Sequence, residues 1–251
     1  MQAKKPLRLL LAVMLVCAGT VFHGMRSSAA AQTPASSPAA AAAAREGQPA
    51  NGGTWGYRPA ASPDPTLPWV LIIGDSVTNG YGDLAVKELN GKANVDLWIT
   101  PAWLGPELFK SAPGIVGMRP YRVIHFNESG LHAWAEGRIP EGQYGPLMRS
   151  YLQLLHKAAP QAQLVWATTT PVTAAGTPGK LDQLDKLIAE RNEVCTPIME
   201  SEGIPVDDLY GLLLTHLDLA AGDRFHWTAK AYGLLADAAA SSISSELQKP
   251  H

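Results

Sequence analysis

Short runs of apolar residues alternate with segments of helical periodicity along residues 67–248. Four of these runs are mainly apolar and end in small or polar residues: WVLIIGDS, NVDLWIT, YRVIHFN and AQLVWATTTP; GIPVDDL is a weaker fifth. Strands of this kind, each followed by a helix, are typical of a parallel sheet that is covered on both faces. The pattern therefore predicts an α/β fold with a single three-layer α/β/α domain.

Four segments place apolar residues at helical spacing between and after these runs: 81–91, 144–160, 180–203 and 228–248. Together with the strands they predict a mainly parallel, about five-stranded flavodoxin-like sheet. In such sheets ligands bind beyond the carboxyl ends of the strands. The residues that directly follow each strand are therefore the candidates for chemistry.

The N-terminal segment, residues 1–31, has the pattern of a secretory signal peptide. Lys4, Lys5 and Arg8 precede the apolar run LLLAVMLVCAGTVF, and SSAAAQ follows it. The apolar run is shorter than the ~20 residues that a membrane-spanning helix needs. We expect cleavage near Ala31, a secreted or periplasmic mature protein, and no integral membrane span in it. Bulky Val16 before Cys17 argues against a lipoprotein.

Residues 32–66 are dominated by alanine, proline, serine and glycine, a composition that cannot supply a core. We interpret this segment as a disordered linker before a catalytic domain at 67–248. Docking of Trp55 and Tyr57 on that domain is the alternative.

Composition excludes several classes of protein. The net charge of −2 provides no basic face for nucleic acid. Once the signal peptide is removed, Cys195 is the one remaining cysteine, so we expect no internal disulfide and treat Cys195 as a core residue. The glycine patterns of phosphate-binding loops, dinucleotide-binding folds and G-x-S-x-G elbows are missing from GDSVTNGYG.

Ser76 follows the first strand, and Asp223 and His226 lie three residues apart just before the last helix. A carboxylate at that offset can accept a hydrogen bond from the histidine ring and fix its tautomer. The histidine could then activate the serine as a nucleophile. Each residue also has a structural reading, because serine and aspartate commonly cap helices.

These residues resemble the GDSL-like, or SGNH, hydrolases over the whole predicted domain. The match consists of the GDS block at Gly74, Asp75 and Ser76 and the D-x-x-H block at Asp223 and His226. The resemblance implies that Ser76 is the nucleophile, His226 its base and Asp223 the acid that orients the base. It implies no metal and no organic cofactor.

The resemblance also implies an oxyanion hole built from the Ser76 and Gly105 backbone N–H groups and the Asn127 side chain. Asn127 matches the asparagine of the family's third block, but His125 replaces its glycine and Glu128 its aspartate. Asn127 could equally be the polar end of a strand. Trp103, Glu128 and His132 are our candidates for substrate binding.

The family suggests an exported esterase that removes short acyl groups, in particular acetyl, from carbohydrates. A lipolytic esterase or thioesterase is the nearest alternative. A non-catalytic module that binds cell-envelope glycans is another, favoured by the departures around Asn127. The loop Glu136–Gly145 is a candidate lid.

Overall fold

The structure, a computed structural model, describes residues 55–134 and 138–250. The predicted signal peptide and residues 32–54 of the predicted linker lie outside these residues, as do the first two positions of the candidate lid.

A six-stranded sheet forms the centre of the domain, and its strand order is β1-β3-β2-β4-β5-β6. The strands are β1 Gly56–Arg58, β2 Trp69–Gly74, β3 Asn94–Ile99, β4 Tyr121–Phe126, β5 Gln163–Ala167 and β6 Val206–Asp207. Strands β2 to β6 are parallel, whereas β1 pairs with β3 in the antiparallel sense. The predicted α/β class and mainly parallel sheet are confirmed, with one strand more than expected.

The additional strand, β1, lies inside the segment that the sequence assigned to the linker. Tyr57 donates a hydrogen bond to the buried carboxylate of Asp96 at 2.5 Å, and the backbone N–H of Ala60 donates to the other oxygen of that carboxylate at 2.8 Å. Asp96 also accepts from Arg119 at 2.9 Å. Polar contacts to distant residues therefore fix this short strand, so composition gave no sign of it.

Six α-helices accompany the strands in the described part of the chain. They are α1 Ser76–Glu88, α2 Pro106–Val116, α3 Tyr144–Ala158, α4 Asp185–Ser201, α5 Leu209–Leu214 and α6 Ala229–Leu247. Single turns of 3₁₀-helix occur at Gly130–Ala133 and Leu217–Leu219. None of the helices in 55–134 and 138–250 is long and apolar enough to cross a membrane.

Apolar side chains of the strands alternate between two cores. Val70 and Ile72 face the core formed with α1 and α6, whereas Leu71 and Ile73 face the core formed with α2, α3 and α4. Both sheet faces are thus covered, as the continuously apolar strands predicted. Cys195 lies fully buried in the second core, where burial raises the pKa of its thiol.

Candidate active site

Ser76 is the first residue of α1, and Asp75 alone separates it from the end of β2. Asp75 caps this helix, because its Oδ1 accepts a hydrogen bond from the backbone N–H of Val77 at 2.9 Å. Gly74 must lack a side chain, since a Cβ there would lie 2.0 Å from Thr78 Oγ1. The tight turn therefore holds Ser76 at the carboxyl edge of the sheet, at the positive end of the α1 dipole.

His226 and Asp223 come to Ser76 from the loop before α6. His226 Nε2 lies 2.9 Å from Ser76 Oγ, and His226 Nδ1 lies 2.6 Å from Asp223 Oδ2. A carboxylate only accepts, so Nδ1 carries the proton and Nε2 is left to accept the serine O–H. The three residues that the sequence singled out are thus joined in one hydrogen-bonded chain.

Asp223 is held by its own loop as well as by the imidazole. Its Oδ1 accepts backbone N–H groups of Phe225 at 3.2 Å and His226 at 2.8 Å. Partial burial acts to raise the pKa of Asp223, but hydrogen bonds from the His226 backbone and ring outweigh it and lower that pKa. The carboxylate therefore remains ionised to lower pH than an ordinary aspartate.

Arg224 lies between Asp223 and His226 and holds their loop against the segment that precedes α4. Its backbone adopts a left-handed conformation with φ of 84°, which is costly for a residue with a side chain. Its Nη2 pairs with Asp182 at 2.7 Å, and its carbonyl accepts the Thr173 N–H at 2.9 Å. The segment between β5 and α4 therefore braces the loop that carries Asp223 and His226.

The side chain of Asn127 lies at the end of β4, next to the end of β5. Its amide nitrogen donates to the Ala167 carbonyl at 2.9 Å and to Thr169 Oγ1 at 3.1 Å. Its carbonyl oxygen accepts the backbone N–H of Gly130 at 3.4 Å. Both amide hydrogens are thus engaged within the protein, and the predicted donation to an oxyanion requires one of them to change partner.

Gly105 precedes α2, and its N–H points back along its own loop. It donates to the Trp103 carbonyl at 2.5 Å. A Cβ on Gly105 would lie 2.9 Å from the Trp103 ring, so glycine is required for this close approach. The structure therefore explains Gly105 by packing, and its N–H is committed to a local turn.

Glu128 lies buried, and this burial does not fit the prediction that its side chain binds substrate. It is 1% exposed, and its two carboxylate oxygens accept from Tyr144 at 2.5 Å and Trp166 at 2.8 Å. Burial raises the pKa of this carboxyl group. Arg138 donates its hydrogen bond to the His132 carbonyl rather than to Glu128.

The other two substrate candidates differ in position. Trp103 is half-buried and packs on the core formed with α2, α3 and α4. His132 lies on the 3₁₀ turn after β4 and makes an edge-to-face contact with Trp55, with 5.5 Å between ring centroids. His125, which stands in place of the glycine of the family's third block, is fully buried and pairs with Asp207 at 2.8 Å.

Comparison with known proteins bears on the fold. No protein-family model matches the sequence, and no curated protein matches it significantly. The solved structure of an acetyl xylan esterase, AlAXEase, is 16% identical with a TM-score of 0.57, and the match covers 70% of this chain and 99% of that one.

Two further solved structures resemble this chain to a similar degree. LAE5, an alpha/beta hydrolase enzyme from the metagenome of Lake Arreo, Spain, is 14% identical with a TM-score of 0.58, covering 72% of this chain and 97% of that chain. A member of the lipolytic protein G-D-S-L family from Veillonella parvula DSM 2008 is 19% identical with a TM-score of 0.53, covering 68% and 95%. The chain has the fold of the SGNH/GDSL-like hydrolases.

Proposed function

We propose that the protein is an exported serine esterase that hydrolyses short-chain esters, in particular acetyl esters of carbohydrates. The observation that carries this proposal is the chain of hydrogen bonds from Ser76 through His226 to Asp223. A serine with a base in hydrogen-bond reach, and an acid that orients the base, is the arrangement that nucleophilic catalysis requires.

In the proposed mechanism the Ser76 Oγ attacks the ester carbonyl while His226 Nε2 takes the hydroxyl proton. The imidazolium that forms is stabilised by the Asp223 carboxylate 2.6 Å away. His226 then protonates the leaving alkoxide, which departs as the alcohol and leaves an acyl group on Ser76. Water, deprotonated by His226, releases the acid and restores the serine.

The negative charge of the tetrahedral intermediate needs preorganised donors. The amino end of α1 begins at Ser76 and supplies a favourable dipole. Asn127 is our proposed side-chain donor. Its 3.1 Å bond to Thr169 Oγ1 is the longer of the two that its amide nitrogen donates, so this hydrogen is the one we expect to turn toward the oxyanion.

A non-catalytic glycan-binding module is a second candidate, and one observation favours it. The Gly105 N–H and both Asn127 amide hydrogens are engaged within the protein. A site that had lost its oxyanion donors could retain the Ser-His-Asp chain and bind a ligand without turning it over.

The acyl preference can be tested with p-nitrophenyl esters of increasing chain length beside an acetylated sugar. We expect kcat/KM to be highest for acetate and to fall by about tenfold or more for an octanoate, because a site shaped for an acetyl group must shift packed side chains to admit a longer chain, at a cost of ~1–3 kcal/mol. Higher activity on the octanoate would support the lipolytic alternative. No hydrolysis of any ester by folded protein would support the binding module.

A further inference from the structure

The proposed function leaves open which residues hold the alcohol part of the ester. Trp55, which the sequence placed in the linker, adjoins the site through the sheet register. Gly56 pairs with Ile99 on β3, and Ile99 pairs with Gly74 on β2. One residue beyond these paired strand ends lie Trp55, Thr100 and Asp75. The Thr100 N–H donates a hydrogen bond to the Gly74 carbonyl at 2.8 Å.

The spacing of neighbouring strands then locates Trp55 relative to the nucleophile. Two strand spacings of ~4.8 Å put the Trp55 backbone roughly 10 Å from the backbone that leads into Ser76. The indole packs on the core formed with α1 and α6, which includes Val77. Ser76 begins α1, and His226 lies just before α6. Trp55 therefore lies on the same face of the sheet as the Ser-His-Asp chain, and at the same end of the strands.

His132 completes an aromatic wall with Trp55. The two rings meet edge to face at 79°, with centroids 5.5 Å apart. The turn that carries His132 is fixed over β3, because Ser129 Oγ donates to the Thr100 carbonyl at 2.8 Å and the His132 N–H donates to the Ser129 carbonyl at 2.9 Å. The wall is thus attached to β3, the neighbour of the strand that leads into Ser76.

The chemistry of this wall suits an alcohol with a flat apolar face and polar edges. Trp55 has an apolar ring system and one donor, Nε1, which is buried and has no hydrogen-bond partner among the described residues. A buried donor without an acceptor is costly unless a ligand supplies one. A sugar ring offers both an apolar C–H face for stacking and hydroxyl oxygens that accept hydrogen bonds.

We propose that Trp55 and His132 form the subsite for the alcohol part of the substrate, and that they hold a sugar ring against the aromatic wall. The subsite deepens the proposed function and rests on it. Arg58 connects β1 to α1 by bonding Asn79 Oδ1 at 3.0 Å and Asp83 at 3.3 Å, so the wall is anchored to the helix that begins at the nucleophile.

The test compares two esters that share an acetyl group and differ in the alcohol: a methyl glucoside monoacetate and ethyl acetate. Trp55→Leu should lower kcat/KM for the sugar acetate by about tenfold, mainly through KM, and change it for ethyl acetate less than twofold. Trp69→Leu is the matched control, because Trp69 is the first residue of β2 and lies at the opposite end of the strand from Ser76. That control should leave the ratio of the two rates unchanged.

Equal losses on both esters, or an unchanged sugar preference, would overturn the subsite while leaving the esterase proposal intact. His132→Ala provides a second variant should Trp55→Leu fail to fold, as judged by circular dichroism. A direct measurement separates the two proposals. Methyl glucoside should quench the protein's tryptophan fluorescence saturably in Ser76→Ala and not in Ser76→Ala/Trp55→Leu. Sugar binding to a protein whose wild type hydrolyses neither ester would uphold a sugar site at Trp55 and refute both the esterase and the alcohol subsite built on it; absence of both would refute the sugar site as well.

Discussion

Replacing His226 with alanine is expected to lower kcat for p-nitrophenyl acetate on the order of 10⁶-fold, the scale seen when a catalytic histidine is removed from a serine hydrolase. His226 Nε2 is 2.9 Å from the Ser76 hydroxyl, and in the proposed mechanism no other base acts on it. Without this base the serine remains protonated and is a poor nucleophile. Steady-state kinetics with the variant and the wild type measure the loss.

His156→Ala is the matched control, since His156 is exposed in the last turn of α3 and the same side chain is removed. We expect its kcat to equal that of the wild type. A His226→Ala enzyme that retains one hundredth or more of wild-type turnover, free of contaminating esterase, would remove His226 from the mechanism.

Replacing Asn127 with alanine is expected to lower kcat by about 10²–10³-fold with little change in KM, as for the loss of one oxyanion donor. The expectation follows because the donor interacts with charge that develops in the transition state and is weak in the bound ester. Values of kcat and KM for p-nitrophenyl acetate, determined separately, distinguish this from a binding role, for which KM would rise and kcat would hold.

Thr169→Val separates catalysis from structure at this position. Asn127 also bonds the Thr169 hydroxyl, so a purely structural role would act through that contact. If one amide hydrogen turns to the oxyanion, removing the competing hydroxyl should leave kcat unchanged or raise it. A fall in kcat that matches the fall in Asn127→Ala would show that the contact between the two strand ends matters, and that Asn127 is not a donor to substrate.

The strands were predictable where apolar residues run without interruption, and this covers β2 to β5. Helix α2 was missed because its sequence, PELFKSAPGIV, has a proline and a glycine in its interior. Helix α4 begins at Asp185, later than the pattern suggested, because Leu181 bridges to Thr173 in the preceding loop. These elements depend on tertiary contacts that periodicity does not encode.

For the site, the sequence pointed to Ser76, Asp223 and His226, since their spacing and order carry the chemistry. It could not show that Glu128 is buried, because the donors that bind it, Tyr144 and Trp166, are far away in sequence. The ion pair between Arg224 and Asp182 could not be predicted either, because its two residues are far apart in sequence. The left-handed backbone conformation of Arg224 could not be predicted either, because arginine is not a residue type that favours positive φ.

Covalent labelling with a fluorophosphonate tests the central claim, that Ser76 is an activated nucleophile. The wild type should take up one probe per chain, with the adduct on the peptide that contains Ser76 by mass spectrometry. Ser76→Ala should take up none under the same conditions and show an unchanged circular dichroism spectrum. Folded wild-type protein that remains unlabelled, or a Ser76→Ala variant that is labelled at the same rate, would contradict the account.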